Sequence, residues 1–344
     1  MKISRNKILT ITALILAAAT ALWLGLGATT AQHAKAQRLS CPLPGSTGDA
    51  TRPGMVWVPG GSFTLGDTVY PEEQPLRKLT VQGFWMDRTE ITNDQFAQFV
   101  NATGYTTVAE RPVDLQRHPG MPTDMQQAGA VVFFMPNDVQ GNGNVTQWWR
   151  YTPGANWRHP GGPDTSIEGR GTFPVVAVTY EDAAAYAKWK GPGYSLPTEA
   201  QWEWAALGGQ TQAQLTHDQP KEANTWQGLF PVLNSAEDGF VGVAPVGCYA
   251  ANGYGLHDTV GNVWEITTDI FKADHTGDVA LAPDQAPPDL RPAGTAPERR
   301  RVIKGGSFLC APNYCMRYRA GSRQPQEEDL AVSHLGFRTI AKGP

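Results

Sequence analysis

Beginning at Met55, apolar and polar residues alternate in two short runs, MVWVPGGSFTLG and LTVQGFWMD, each broken by Gly, Pro or Asp. Patterning with a period of two over so few positions predicts short strands joined by polar turns. Three later stretches change to a helical period, each announced by a capping box. Thr92 with Gln95 precedes Phe96, Phe99 and Val100; Thr179 with Asp182 precedes Ala183 and Tyr186; Thr198 with Gln201 precedes Trp202 and Ala205. In such a box the hydroxyl accepts the backbone N–H three residues on, and the longer side chain reaches back to the first N–H. Gly104, Gly191 and Gly208 supply the ends, because glycine takes the left-handed conformation that stops a helix. Residues 106–172 lack periodicity and are rich in Gly, Pro and Trp, and the proline-rich stretch 272–300 has no apolar face and reads as a surface loop. No repeat and no internal linker interrupts the pattern. One domain over residues 55–342, preceded by a linker over 37–54, is the expectation.

Composition adds a requirement. With 37 Gly, 27 Pro and only 17% charged residues, the chain carries long ordered loops, and loops of this length inside a compact domain either serve a site or need a staple. The net charge is -4 and the body has no Lys/Arg-rich run, so no nucleic-acid partner is expected. At the N-terminus Lys2, Arg5 and Lys7 precede an apolar run over residues 8–27 and then AKA at 34–36, which predicts an export signal over residues 1–36, cleaved before Gln37. The run is nearly long enough to span a bilayer, so an uncleaved anchor is the alternative, and membrane contact is expected only in that case. Either way the body lies outside the cytosol, in the periplasm or secreted rather than in the endoplasmic-reticulum lumen. For four cysteines in an exported chain, two disulfides are the default.

The chemistry concentrates in GGSFLCAPNYCMRYR, where Cys310 and Cys315 stand five residues apart. By spacing alone this is a local disulfide. Nothing else in the chain offers a redox centre: there is no dinucleotide fingerprint and no CxxCH. The histidines, at 33, 118, 159, 217, 257, 275 and 334, are scattered with no pair at ligand spacing, which disfavours a non-haem iron triad.

A series of motifs in fixed order changes the weighting. MVWVPGGSFTLGD, TEITNDQFAQFVNATGY, GANWRHPGGPDTSI, FPVVAVTYEDAAAYAKW, SLPTEAQWEWAALGG, ANTWQGLFPVLNSAEDGFVGVAPV, NGYGLHDTVGNVWEITTD, GGSFLCAPNYCMRYR and SHLGFRTI together resemble the formylglycine-generating enzymes, the sulfatase-modifying-factor family, over nearly the whole chain beyond the signal. The resemblance implies an α+β fold, a C-type-lectin-like variant with much irregular structure. It implies a copper-dependent oxidase that uses O2 to convert a cysteine in a CxPxR-type motif of an unfolded or nascent sulfatase to formylglycine. Cys310 and Cys315 would bind copper(I), with Ser307 a hydrogen-bonding group and Trp264 and Tyr314 walls of the pocket. Ligand type agrees, since two thiolates without imidazole or carboxylate suit copper(I) better than zinc or iron. Arg317 and Arg319 are either charges that lower the thiol pKa values or structural ion-pair partners.

The resemblance also implies two structural calcium ions. Asn224 and Asp238, with the carbonyls of Thr225 and Phe240, resemble one ligand set; Asp258 and Glu265, with the carbonyls of Gly261 and Val263, resemble the other. Mixed carboxylate, amide and carbonyl oxygens suit calcium, and the same residues also cap turns. The sequence departs from the family at Ala311, where some members carry histidine, and in the stretch 108–138, where the acidic residues that grip a substrate arginine cannot be placed. Two other functions stand beside the first: an exported oxidase of the same fold acting on a siderophore-type substrate, and a non-catalytic lectin-like module with a structural disulfide. Cys41 and Cys248 either bridge each other or stay free.

Overall fold

The alternating runs fold as four short strands, β1 (Met55–Val58), β2 (Gly61–Leu65), β3 (Arg77–Val81) and β4 (Phe84–Asp87). β1 pairs with β4 and β2 with β3, both antiparallel. This computed structural model describes residues 40–41, 52–140, 144–211, 217–277, 279–280 and 299–343. The expected signal, most of the linker and much of the 272–300 loop lie outside the described residues.

All three capping boxes form. α1 (Asn93–Thr103), α2 (Tyr180–Lys190) and α3 (Glu199–Leu207) begin at Thr92, Thr179 and Thr198 and end at Gly104, Gly191 and Gly208. At α2 the cap also serves tertiary structure. Asp182 accepts from the N–H and hydroxyl of Thr179 (2.8 and 2.9 Å), from Val108 N–H (3.0 Å) and from the Tyr105 hydroxyl (3.1 Å), which ties the helix to the chain leaving α1. Within the aperiodic stretch the structure adds a hairpin that the pattern hid, β5 (Gly129–Phe133) with β6 (Trp149–Pro153). β5 alternates poorly because both of its faces meet protein, and β6 has no buried residue to mark an apolar face, so the period-two signal is lost.

Six further strands complete the architecture: β7 (Tyr194–Ser195), β8 (Trp264–Ile270), β9 (Arg300–Lys304), β10 (Arg323–Glu327), β11 (Leu335–Gly336) and β12 (Ile340–Lys342). Two four-stranded sheets result, ordered β1-β4-β12-β7 and β10-β9-β8-β11. All pairs in them are antiparallel except β8 with β11. The fold is α+β with much irregular backbone. α3 is buried along its whole length, including Glu199 and Glu203, which is tolerable only because cations are buried with them. Lys304 Nζ lies 2.8 Å from Glu203 and Arg323 Nε lies 2.7 Å from Glu199. One apolar cluster gathers Phe96, Phe99 and Tyr186 with Trp264, Cys310 and Cys315, and a second forms under Trp202 and Leu65. A large side chain such as Phe96 contributes about 1.5–3 kcal/mol by full burial.

Cys41 and Cys248 are joined across a separation of 207 residues. A disulfide of this kind persists in oxidising compartments, consistent with a location outside the cytoplasm. Among the described residues no helix is long and apolar enough to cross a membrane. Replacing both Cys41 and Cys248 by serine is expected to lower the stability to chemical denaturation by about 2–5 kcal/mol; an unchanged denaturation midpoint would show that the bridge does not staple the fold.

Candidate active site

β9 runs into Gly305 and Gly306, both in the left-handed region with φ of 92° and 75°. At Gly306 a Cβ would stand 2.6 Å from the Arg317 carbonyl oxygen, so only glycine lets the outgoing and returning chain touch. Between these points residues 307–316 turn on themselves. Cys310 N–H donates to the Ser307 carbonyl and Cys315 N–H to the Ala311 carbonyl, each at 2.9 Å. Two other loops pin the turn from outside: Phe308 N–H donates to the Asn262 carbonyl (2.9 Å) and Trp226 N–H to the Cys310 carbonyl (3.0 Å).

This folding brings Cys310 Sγ and Cys315 Sγ to 2.6 Å. Both are free cysteines, 1% and 7% exposed, whereas Cys41 and Cys248 form the disulfide. The two thiols are electrostatically unequal. Burial pushes Cys310 up, and the neighbouring sulfur adds to the effect. Cys315 is lowered, first by the hydrogen bond from Cys310 and then, against its own burial, by the backbone N–H and positive charge of Arg317. Cys315 is therefore the more acidic thiol of the pair and Cys310 the one that holds its proton more tightly. Burial raises Tyr314 and Tyr318, and the sulfur charges add to it, so both phenols keep their protons.

The residues expected around the pair take different positions. Ser307 is buried at the start of the turn, its Oγ accepting from Leu309 N–H at 3.3 Å. Trp264 packs in the same apolar cluster as both cysteines, beneath them in the core. Tyr314 is 44% exposed and stacks on Phe230 with ring centroids 4.0 Å apart. Ala311 is fully buried among Trp148, Trp226, Phe230 and Phe308, an apolar setting that would leave a histidine there without a partner. Arg319 is structural, paired with Asp67 and with Glu73 (2.6 Å). Arg317 has both expected properties, since it pairs with Glu72 and also lies beside Cys315.

The aromatic wall is the main feature that sequence reasoning missed. Phe133 and Trp148 both pack against Phe230, with centroids 5.7 and 5.9 Å apart, and Trp149 packs on Phe133. The density of aromatics in the aperiodic stretch was the available signal. His334, also missed, is half-buried against Trp149 at 4.8 Å; desolvation drives it down to about 3, so it is neutral, and its Nδ1 has no partner in the protein.

The expected calcium ligands gather in two turns. Asp258 and Asn262 flank Gly261, all three with positive φ. Glu265 receives Arg338 through two nitrogens (2.6 Å each) and Trp202 Nε1–H (2.8 Å). Asp258 accepts Gly247 N–H on Oδ2 (2.6 Å), while its Oδ1 is buried without a partner. Glu90, which the sequence did not indicate, accepts Asn262 Nδ2–H on Oε1 (3.0 Å), and its Oε2 is likewise orphaned. Burial, reinforced by the neighbouring carboxylates, pushes Glu90 well up and Asp258 up to about 6. Two uncommitted buried oxygens on repelling carboxylates fit a hard cation. At the other turn Asp238 accepts N–H groups from Thr225 (3.1 Å) and Phe240 (3.0 Å), which is also how aspartate caps turns, and Asn224 donates to Asn262 Oδ1 at 3.0 Å. Among the described residues no three His, Cys, Asp or Glu side chains form a ready-made metal cage.

An irregular α+β fold that ends in a free, facing thiol pair defines a narrow class of protein. Residues 42–342 match the family described as the sulfatase-modifying factor enzyme 1-like domain. The chain is 48% identical over 293 residues to the formylglycine-generating enzyme of Mycobacterium tuberculosis, covering 83% of this chain and 97% of that one. It is 42% identical over 303 residues to the formylglycine-generating enzyme of Mus musculus, covering 83% and 74%. In fold it is similar to PvdO from Pseudomonas aeruginosa, with a TM-score of 0.58 at 21% identity over 88% of this chain and 100% of that one. The chain belongs to the sulfatase-modifying-factor family of formylglycine-generating enzymes, which are oxidoreductases.

Arg338→Leu would leave Glu265 buried and unpaired, at a cost of about 3–5 kcal/mol in unfolding free energy. A loss under about 1 kcal/mol in a denaturant titration would show that the pair does not hold the turn.

Proposed function

We propose that this enzyme converts a cysteine side chain in a CxPxR-type motif of an unfolded or nascent sulfatase to formylglycine with dioxygen, at a copper(I) ion held by Cys310 and Cys315. The observation that carries the reading is the pair itself: two free, buried sulfurs facing each other, one of them made more acidic by its neighbours, with no imidazole or carboxylate among them. Thiolate is the metal-binding form of cysteine, and a sulfur-only donor set suits copper(I). Copper(I), when bound, supplies the redox-active centre that lets dioxygen react with a thiol. The overall change balances: cysteine and dioxygen with water give the aldehyde, hydrogen sulfide and hydrogen peroxide, or with two external thiols give the aldehyde, hydrogen sulfide, a disulfide and water.

The chain's own residues prepare this site. Phe308, Leu309, Trp226 and Phe230 keep water from the loop, so charge near the sulfurs acts at short range and low dielectric. The protonated phenols of Tyr314 and Tyr318 are donors and not bases at neutral pH. The exposed, stacked ring of Tyr314 offers a peptide a flat surface next to Cys315. Calcium would take the orphaned oxygens of Glu90 and Asp258, with Glu265 and the carbonyls of Gly261 and Val263. A second ion would take Asn224, Asp238 and the carbonyls of Thr225 and Phe240. Both turns adjoin the chain that pins the cysteine loop, so calcium would stiffen the site without touching the reaction. The protein acts after export, in the periplasm or outside the cell.

With purified protein loaded with copper(I), a CxPxR peptide is expected to consume oxygen and yield a product in which oxygen replaces hydrogen sulfide by mass. Cys310→Ser and Cys315→Ser should each abolish that conversion, and full turnover by both variants would sink the assignment. Chelation of calcium should lower the thermal midpoint of the wild type. Glu90→Gln combined with Asp258→Asn should remove most of that response, and an unaltered response would place the ion elsewhere.

A further inference from the structure

Two thiolates around a monovalent cation sum to one negative charge, and an unneutralised charge at a buried site is costly. Arg319, nearest in sequence to Arg317 among the cations of the loop, is already engaged by Asp67 and Glu73. Arg317 is differently placed. It stands two residues beyond Cys315, and its Nε–H is buried with no partner in the protein, leaving one donor uncommitted where the chain leaves the sulfur pair.

The position of Arg317 comes from a segment about 245 residues earlier in the chain. Residues 70–73 form a single tight turn, closed by Glu73 N–H on the Tyr70 carbonyl at 3.1 Å. This strap grips the strand leaving the cysteine loop at successive points. Met316 N–H donates to the Tyr70 hydroxyl at 3.3 Å, the Arg317 guanidinium lies over the Tyr70 ring at 4.0 Å with Nη2 on Glu72, and Arg319 is paired with Glu73. The Glu72 carbonyl accepts Arg323 Nη1–H at 3.0 Å, so the strap is anchored beyond the loop as well. A guanidinium stacked on a ring and held at one nitrogen by a carboxylate is fixed in orientation, which a lysine in its place would not share.

We propose that Arg317 is the counter-charge of the Cys310–Cys315 pair and that Tyr70 and Glu72 are positioning residues that hold it there, so that the strap sets how tightly the pair grips a monovalent soft cation. This rests on the copper(I) reading of the site. Glu72 and Arg317 are both partly solvated, with side chains 20% and 21% exposed, so the ion pair orients the guanidinium more than it stabilises the fold.

The test is competition for copper(I) between the metal-free protein and a chromogenic chelator, with peptide kinetics alongside. Glu72→Gln and Tyr70→Leu should each weaken copper(I) binding about 10–100-fold, the range typical of lost support behind a metal ligand. kcat should fall with the peptide KM unmoved and the thermal midpoint nearly unchanged, and Glu72→Asp should retain most of the affinity. A purely structural strap would instead lower the midpoint and leave affinity per folded molecule intact, which overturns the proposal. Wild-type affinity in both Glu72→Gln and Tyr70→Leu overturns it too. A wild type that binds no copper(I) overturns the site reading and this inference together, whereas a copper-binding wild type with indifferent variants overturns the strap alone.

Discussion

Arg338 has no access to water, and its guanidinium is satisfied entirely by protein: Glu265 through two nitrogens, the His257 carbonyl at 3.0 Å and the Asp87 carbonyl at 3.3 Å. Those partners lie in β8, in the turn before it and in β4, so one cation fixes the two four-stranded sheets and the turn between His257 and Glu265 against each other. Trp202 of α3 donates to the same carboxylate. Asn262 sits in that turn and accepts Phe308 N–H from the cysteine loop. The geometry of the sulfurs thus depends on a buried ion pair that never touches them. A charge so placed is stable only while every one of its donors is engaged.

The site is built from irregular backbone, which needs an explicit partner for each polar group. The cysteine loop meets this need with its own turns and with N–H groups shared with the 224–226 and 261–262 segments. Among the described residues, the buried side-chain atoms without a partner include a carboxylate oxygen on Glu90, one on Asp258 and the Nδ1 of His334. Unsatisfied buried groups tend to lie where something else binds or reacts. All three lie on chain that packs around the thiol pair or supports it.

Local features were readable in advance because their physics is local. Thr92, Thr179 and Thr198 cap helices whatever surrounds them, since the bonded partners are three residues away. The fold class and the family followed from motifs that stay contiguous in the chain. β5 and β6 were not readable, because β5 is covered on both faces and β6 has no buried face, so neither keeps an apolar alternation. Nor were Glu90, Arg338 and the strap at Tyr70 and Glu72 as parts of the site, since each acts on a residue 73 or more positions away.

By itself, then, the sequence determined where helices begin and end and which fold family the chain adopts, because each rests on neighbours along the backbone. Only the tertiary structure decided that Cys41 bonds Cys248 while Cys310 and Cys315 stay free, that Arg319 is structural while Arg317 faces a sulfur, and that Glu90 joins Asp258. Those outcomes are set by distance and burial between segments far apart in the chain. A thiol or a carboxylate changes its partner and its charge with its surroundings, and the order of residues does not contain those surroundings.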